Sequence, residues 1–282
     1  MRKTFCLINE KGGVGKTSSC FHLAGAFAAS GNRVLVIDMD PQASLTRGFF
    51  GPDHTDQLPL ESSVASLFDE SAGFADWSLL IHATSFERLH VCPTNRMLAD
   101  FNRRNPETLG MMQYTLREFI EEQSSYDIVL IDCPPNLYSC SWTAMLATDW
   151  VIIPVTPEDF GTQGLRAVHE AVANVRNLNP NIRRLGHLLT RADSRLQVHQ
   201  QYEETLRRAY GDLILNNIMR ELSAFKLAVA RRMPVEYHDP RSRAAELTRA
   251  LSREILDRTD ARIDNRMREH GDKAADTSTT PT

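Results

Sequence analysis

Within its first thirty residues the chain passes from a short apolar run, TFCLIN (4–9), through a glycine-rich turn, EKGGVG, into a stretch with helical spacing, TSSCFHLAGAFAAS (17–30), closed by Gly31-Asn32. A strand that hands a glycine-rich turn directly to a helix belongs to a sheet whose parallel strands are joined by helical crossovers. The rest of the sequence repeats that alternation. RVLVIDMD (33–40), RLHVCPT (88–94), YDIVLIDCPP (126–135), DWVIIPVTP (149–157) and LGHLLT (185–190) predict further buried strands, with DLILNNI (212–218) as the last. Between them, 107–123, 161–178, 195–210 and 242–258 carry apolar residues at helical spacing. The expected fold is therefore α/β, a mostly parallel twisted sheet with helices on both faces. No linker or repeat interrupts the series, so one domain is expected over 1–258. The segment 50–87 has no clear period, and the tail 259–282, ending DKAADTSTTPT, is too polar to be expected to fold.

Composition narrows the classes. With 282 residues and 42% hydrophobic content the chain can bury a sizeable core. No apolar run approaches the roughly 20 residues that span a bilayer, and Met1-Arg2-Lys3 leads into TFCLI without a signal-peptide region, so a cytoplasmic protein with no membrane partner is expected. Cys6, Cys20, Cys92, Cys133 and Cys140 are scattered through apolar segments and read as buried thiols, not as a metal site. The net charge of −4 conceals an asymmetry: residues 183–253 hold 14 basic against 8 acidic side chains, a net +6 that leaves −10 for the remainder. A segment of that sign is either a set of solvated helix faces or a footprint for a polyanion.

The turn carries the chemistry. In G-x-x-x-x-G-K-[ST], placed between strand and helix, backbone N–H groups and the helix N-terminus cradle phosphates, the lysine reaches the terminal phosphates and the hydroxyl ligates magnesium. Gly12, Gly13, Val14, Gly15, Lys16, Thr17 and Ser18 supply this arrangement, although Glu10 stands where the pattern has its first glycine and a second lysine, Lys11, follows it. Asp132, at the end of IVLID, is the expected carboxylate for the magnesium shell.

KGGVGKT (11–17), VLVIDMDPQASLT (34–46), YDIVLIDCPPNL (126–137) and VIIPVTPEDFGTQGL (151–165) resemble the ParA group of deviant Walker-A P-loop ATPases. LHVCPTNRMLA (89–99) and PVEYHDPRSRAAE (234–246) extend the likeness over nearly the whole chain, and the D-x-D-P-Q of Asp38, Asp40, Pro41 and Gln42 favours ParA over other branches. The resemblance implies ATP and Mg2+ as cofactors and an ATP-dependent face-to-face homodimer in which Lys11 reaches the nucleotide of the partner subunit. Physically, a cation delivered across the interface couples the charge of the terminal phosphate to dimerisation. It also implies that Asp40 orients or activates the attacking water, that Asp38 supports the magnesium shell or the loop geometry, and that Met219 and Arg220 border the adenine.

Members of this group bind double-stranded DNA without sequence preference as ATP dimers, associate with the nucleoid, and are released when a ParB-like partner stimulates hydrolysis. The basic segment fits such a role, with Arg195, Arg220, Lys226, Arg231 and Arg232 as first candidates and Arg191, Arg207 and Arg208 beside them. The run ELSAFKLAVARRM (221–233) departs from the family pattern, which has an asparagine after the arginine, then serine-glutamate-alanine, then glycine. Two alternatives are a MinD-like or cargo-positioning ATPase and an iron-protein-like enzyme. The first calls for a basic amphipathic terminal helix, whereas the tail offers only Ile263 and Met267 as bulky apolar groups; the second calls for a cysteine spacing that Cys133 and Cys140 match poorly.

Overall fold

The computed structural model describes residues 1–69, 76–157 and 162–276; part of the expected motif at 151–165, namely 158–161, and the last six residues lie outside the described residues. Eight strands form the sheet: β1 (Lys3–Leu7), β2 (Val34–Asp38), β3 (His82–Ala83), β4 (Leu89–Cys92), β5 (Ile128–Asp132), β6 (Trp150–Val155), β7 (Arg183–Ala192) and β8 (Met219–Arg220). Their order is β3-β4-β2-β5-β1-β6-β7-β8, and every pairing is parallel except that of β3 with β4. The helices are α1 (Lys16–Ala29), α2 (Ser44–Phe50), α3 (Pro52–Asp56), α4 (Ala99–Asn102), α5 (Thr115–Glu122), α6 (Ser139–Leu146), α7 (Thr162–Val175), α8 (Gln197–Tyr210), α9 (Ser223–Ala230), α10 (Val235–His238) and α11 (Arg243–Asp276).

Side chains of a strand alternate between faces, and here both faces are buried, which is why the strands read as continuous apolar runs. Cys6, Leu35, Ile37, Val129 and Ile131 pack with Phe119 of α5, Ala144 of α6, Val168 and Val172 of α7 and Leu206 of α8. Phe5, Leu7, Val34, Val36, Ile128 and Leu130 pack on the other side with Leu23 and Phe27 of α1, Phe49 of α2, Phe225 of α9, and Leu251 and Ile255 of α11. Each fully buried side chain of this size contributes about 1.5–3 kcal/mol. The five cysteines are buried free thiols.

Three expectations are corrected. Residues 212–218 are not a strand. Only Ile214 makes a bridge, to His187, while the backbone N–H groups of Asn216 and Asn217 donate to the Glu254 carboxylate at 2.7 and 2.8 Å instead of to a ladder. The last strand is the two-residue β8 that follows. The helix expected over 107–123 begins at Thr115, because Gly110 adopts φ 54° and the preceding residues form 3₁₀ turns. Finally, α11 runs on through the expected boundary at 258 to Asp276. Leu251, Ile255, Thr259 and Ile263 recur every four residues along one stripe, Thr259 is fully buried, and Ile263 packs on the core of that face. Lys3 pairs with Asp260 at 2.7 Å and Arg262 donates to the Arg184 carbonyl, so the polar residues of this turn also bind the sheet.

Candidate active site

The chain reverses its direction of travel across the sheet at β1, whose neighbours are β5 on one side and β6 on the other. In open parallel sheets, the carboxyl ends of strands at such a reversal form the natural crevice. Three strand ends meet here: in register, Leu7 lies opposite Asp132 and Asp38 opposite Asp132.

The loop from β1 to α1 is braced at several points. Asn9 donates to the Pro154 carbonyl at 2.7 Å and accepts from the Lys11 N–H at 3.0 Å. Gly13 and Gly15 have φ 75° and 82°, a region an L side chain enters only with strain, so the tight path into α1 depends on them. The Lys16 ammonium folds back across the loop and donates to the carbonyls of Asn9 at 2.9 Å and Lys11 at 2.8 Å. Lys16 is buried, and burial lowers its pKa against the opposing pull of Asp132, Cys133 and Asp40. Glu10, Lys11, Gly12 and Gly13 are exposed, while Val14 is buried.

Asp38, Asp40 and Asp132 occupy different environments. Asp38 is fully buried and accepts from the Thr46 N–H at 2.8 Å, the Thr46 hydroxyl at 2.7 Å and the Asp40 N–H at 3.1 Å. Burial pushes its pKa up to about 7 even though these bonds favour the charged form. Thr46 in turn accepts from the Thr94 N–H at 3.0 Å, so Asp38 anchors the start of α2 to the end of β4. Asp40 accepts from the Gln42 N–H at 2.9 Å; burial raises its pKa, with Gln42 and Lys16 opposing. Asp132 is fully buried, and neither of its oxygens has a well-formed hydrogen bond. Burial and then Asp38 hold its pKa well above the carboxylate range, against the nearby Thr17 hydroxyl and Lys16. A buried carboxylate with two unsatisfied oxygens beside a threonine hydroxyl is a hard oxygen donor set. Magnesium, which keeps several waters and takes few protein ligands, fits it. Asp38, with its oxygens committed to Thr46 and Asp40, fits the loop-supporting of its two expected roles.

Beside the loop lies a cleft of about 440 Å³, walled by Gly13, Gly15, Ser18 and Ser19 on one side and Met219, Leu222, Phe225 and Val229 on the other. The structure thus brings Met219 and Arg220, expected to border the adenine, into one cleft with Gly13 and Gly15 of the loop. It adds groups that the sequence did not single out. Thr190 donates to the Val14 carbonyl at 2.8 Å, and the buried Ser19 hydroxyl lines the cleft without a hydrogen-bond partner. Arg191, read from the sequence as one of the basic-segment arginines, donates to the Gly13 carbonyl at 3.2 Å.

The other basic candidates are less uniform than their charge suggests. Arg195 pairs with Asp193 at 2.7 Å and Lys226 pairs with Glu221. The Arg232 guanidinium packs onto Gly51, where a Cβ would come within 2.6 Å of its Cζ. Arg220 is half-buried in the cleft wall, and Arg231 is exposed at the end of α9. Among the described residues no helix is long and apolar enough to cross a membrane, and no group of three or more His, Cys, Asp and Glu side chains gathers for a metal.

Residues 2–184 match the AAA domain family. The sporulation initiation inhibitor protein Soj of Bacillus subtilis is 32% identical over 256 residues, covering 90% of this chain and 98% of that protein. The chromosome partitioning protein ParA of Caulobacter vibrioides is 30% identical over 91% of this chain and 94% of its own length. In three dimensions, cobyrinic acid a,c-diamide synthase from Mycobacterium smegmatis, solved with ADP and magnesium, superposes with a TM-score of 0.77 over 91% of this chain and 94% of that one, at 24% identity, which establishes the shared fold. With relatives matched along almost their full lengths and the phosphate loop, Asp38, Asp40 and Asp132 converging on one crevice, the chain belongs to the ParA/Soj family of P-loop ATPases.

Proposed function

We propose that this protein is an ATP-dependent, magnesium-requiring partition ATPase whose ATP-bound homodimer holds DNA without sequence preference until a ParB-like partner stimulates hydrolysis. The observation that carries the reading is the placing of two lysines on one loop in opposite settings. Lys16 is buried and turned into the loop, and Lys11 is exposed at its tip. Lys16 serves the nucleotide of its own subunit, and Lys11 reaches the nucleotide of the facing copy. Thr17 and Asp132 would hold a magnesium ion, which would supply charge neutralisation at the nucleotide's phosphates. Asp40 accepts a hydrogen bond from the attacking water and aligns it. Asp38 keeps α2 and the Asp40 backbone in place. Met219, with the apolar wall of the cleft, packs against the base.

The test separates the lysines. Lys16→Ala abolishes ATP binding, whereas Lys11→Ala retains monomer binding and loses the ATP-dependent dimer, as read by equilibrium nucleotide binding and light scattering. A Lys11→Ala protein that dimerises with ATP at wild-type affinity removes the cross-subunit role.

A further inference from the structure

Thr190 and Arg191 are consecutive residues of β7, yet both side chains reach the phosphate loop, Thr190 at the Val14 carbonyl and Arg191 at the Gly13 carbonyl. A regular strand forbids this, since successive side chains point to opposite faces. The chain achieves it by a register shift between Thr190 and Ala192 in the pairing with β8, with Arg191 itself at φ 54°. A non-glycine residue in the left-handed region is strained, and a bulge of this kind re-aims a side chain. The strain here is used to turn a guanidinium toward the loop. On its other side Arg191 pairs with Glu221 at 3.4 Å, and Glu221 is shared with Lys226. Arg191 and Glu221 both line the cleft, together with the unpartnered, buried hydroxyl of Ser19.

We infer that Arg191 is a nucleotide-positioning residue that exchanges Glu221 for a phosphate of the bound nucleotide, with Glu221 acting as its restraint when the cleft holds none. This rests on the nucleotide-binding reading above and adds to it a residue of this chain's own. A guanidinium matches a phosphate in two parallel hydrogen bonds, which a single long contact to a carboxylate does not. The exchange leaves no orphan charge, because Lys226 remains on Glu221 when Arg191 departs. Lys226 and Arg191 together hold the Glu221 carboxyl below its ordinary range. Restraint and ligand thus compete for one cation, and the apparent affinity of the site is set by both.

The experiment is a double-mutant cycle on nucleotide binding, using a fluorescent ATP analogue with magnesium and the full chain. Arg191→Gly is the informative variant, since glycine accepts φ 54° and folding is not put at risk by the backbone; Arg191→Ala is its companion. Arg191→Gly weakens binding on the order of tenfold, as for the loss of a charge-assisted contact. Glu221→Gln tightens binding about threefold in the wild-type background and has no effect once Arg191 is glycine. A gain from Glu221→Gln that persists without Arg191 overturns the restraint, because it reduces to the removal of one negative charge near phosphates. Binding that Lys16→Ala abolishes and Arg191→Gly leaves unchanged overturns the role of Arg191 alone. Absence of Lys16-dependent binding in the wild-type protein overturns the nucleotide reading along with it.

Discussion

At the level of single residues, the acidic groups divide by what their surroundings leave them free to do. Asp38 has three hydrogen bonds to its carboxylate and is committed to structure, whereas Asp40 spends one on Gln42 and Asp132 has none well formed. Removing Asp40 therefore disturbs the chemistry more than the fold. Asp40→Ala is expected to bind ATP and to remain dimeric, with turnover reduced by a factor on the order of 10². Steady-state phosphate release alongside size-exclusion chromatography in ATP checks this, and an unchanged rate moves the water-positioning role elsewhere. The loop glycines, Lys16, Thr17 and Asp132 were legible in the sequence because phosphate-loop chemistry demands fixed residue types at fixed spacing, whereas Lys11, Asp38 and Asp40 were singled out through the family resemblance. The loop roles of Thr190 and Arg191 were not legible, because they come from a bulge and a close approach between segments about 175 residues apart, which no local pattern encodes.

Among the elements, α1 packs against α9, α10 and α11, and its contacts explain an apparent misfit in its sequence. Gly25 lies mid-helix, where glycine costs roughly 0.5–1 kcal/mol relative to alanine. Yet a Cβ there would stand 2.3 Å from Cβ of Pro234, which leads into α10. Next to it, His22 accepts the Val235 N–H at 3.1 Å through Nδ1, and burial lowers the His22 pKa to about 3, so the ring stays neutral and keeps accepting. Gly25→Ala should therefore lower stability by about 1–3 kcal/mol despite the better helix former, because overpacking against a rigid ring outweighs propensity. Urea unfolding midpoints decide the sign, and a stabilised variant shows that α10 yields. At this scale the sequence was read well where strands are buried on both faces and poorly at the rim. DLILNNI has the composition of a strand, but the Glu254 carboxylate takes the backbone donors of Asn216 and Asn217. The polar character of 259–263 hid a four-residue spacing that continues the buried stripe of α11.

For the molecule as a whole, charge has to be read through its local pairing. The +6 of residues 183–253 includes Arg195 and Lys226, each already facing an acid, and Arg191, engaged at the phosphate loop. Exposed Arg231 is the stronger candidate for a DNA phosphate. Each phosphate contact contributes roughly −0.9 to the slope of log K against log salt, so Arg231→Ala in both subunits of an ATP dimer should flatten that slope by about 2 on any duplex. Arg195→Ala should change it less, since a cation already paired with Asp193 releases fewer counterions. Salt titrations on two unrelated duplexes, in ATP and in ADP, provide the check; an unaffected slope identifies Arg231 as merely solvated. The grip of Glu254 on Asn216 and Asn217 has a consequence in time. The phosphate loop follows β1 early in the chain, but the segment leading into Met219 and Arg220 on the opposite wall of the crevice is held by a carboxylate of α11. A chain whose α11 has not docked therefore carries the phosphate loop without a braced wall opposite it. Docking of α11 is therefore expected to come before the crevice is complete on both sides, which places the finished site late in folding.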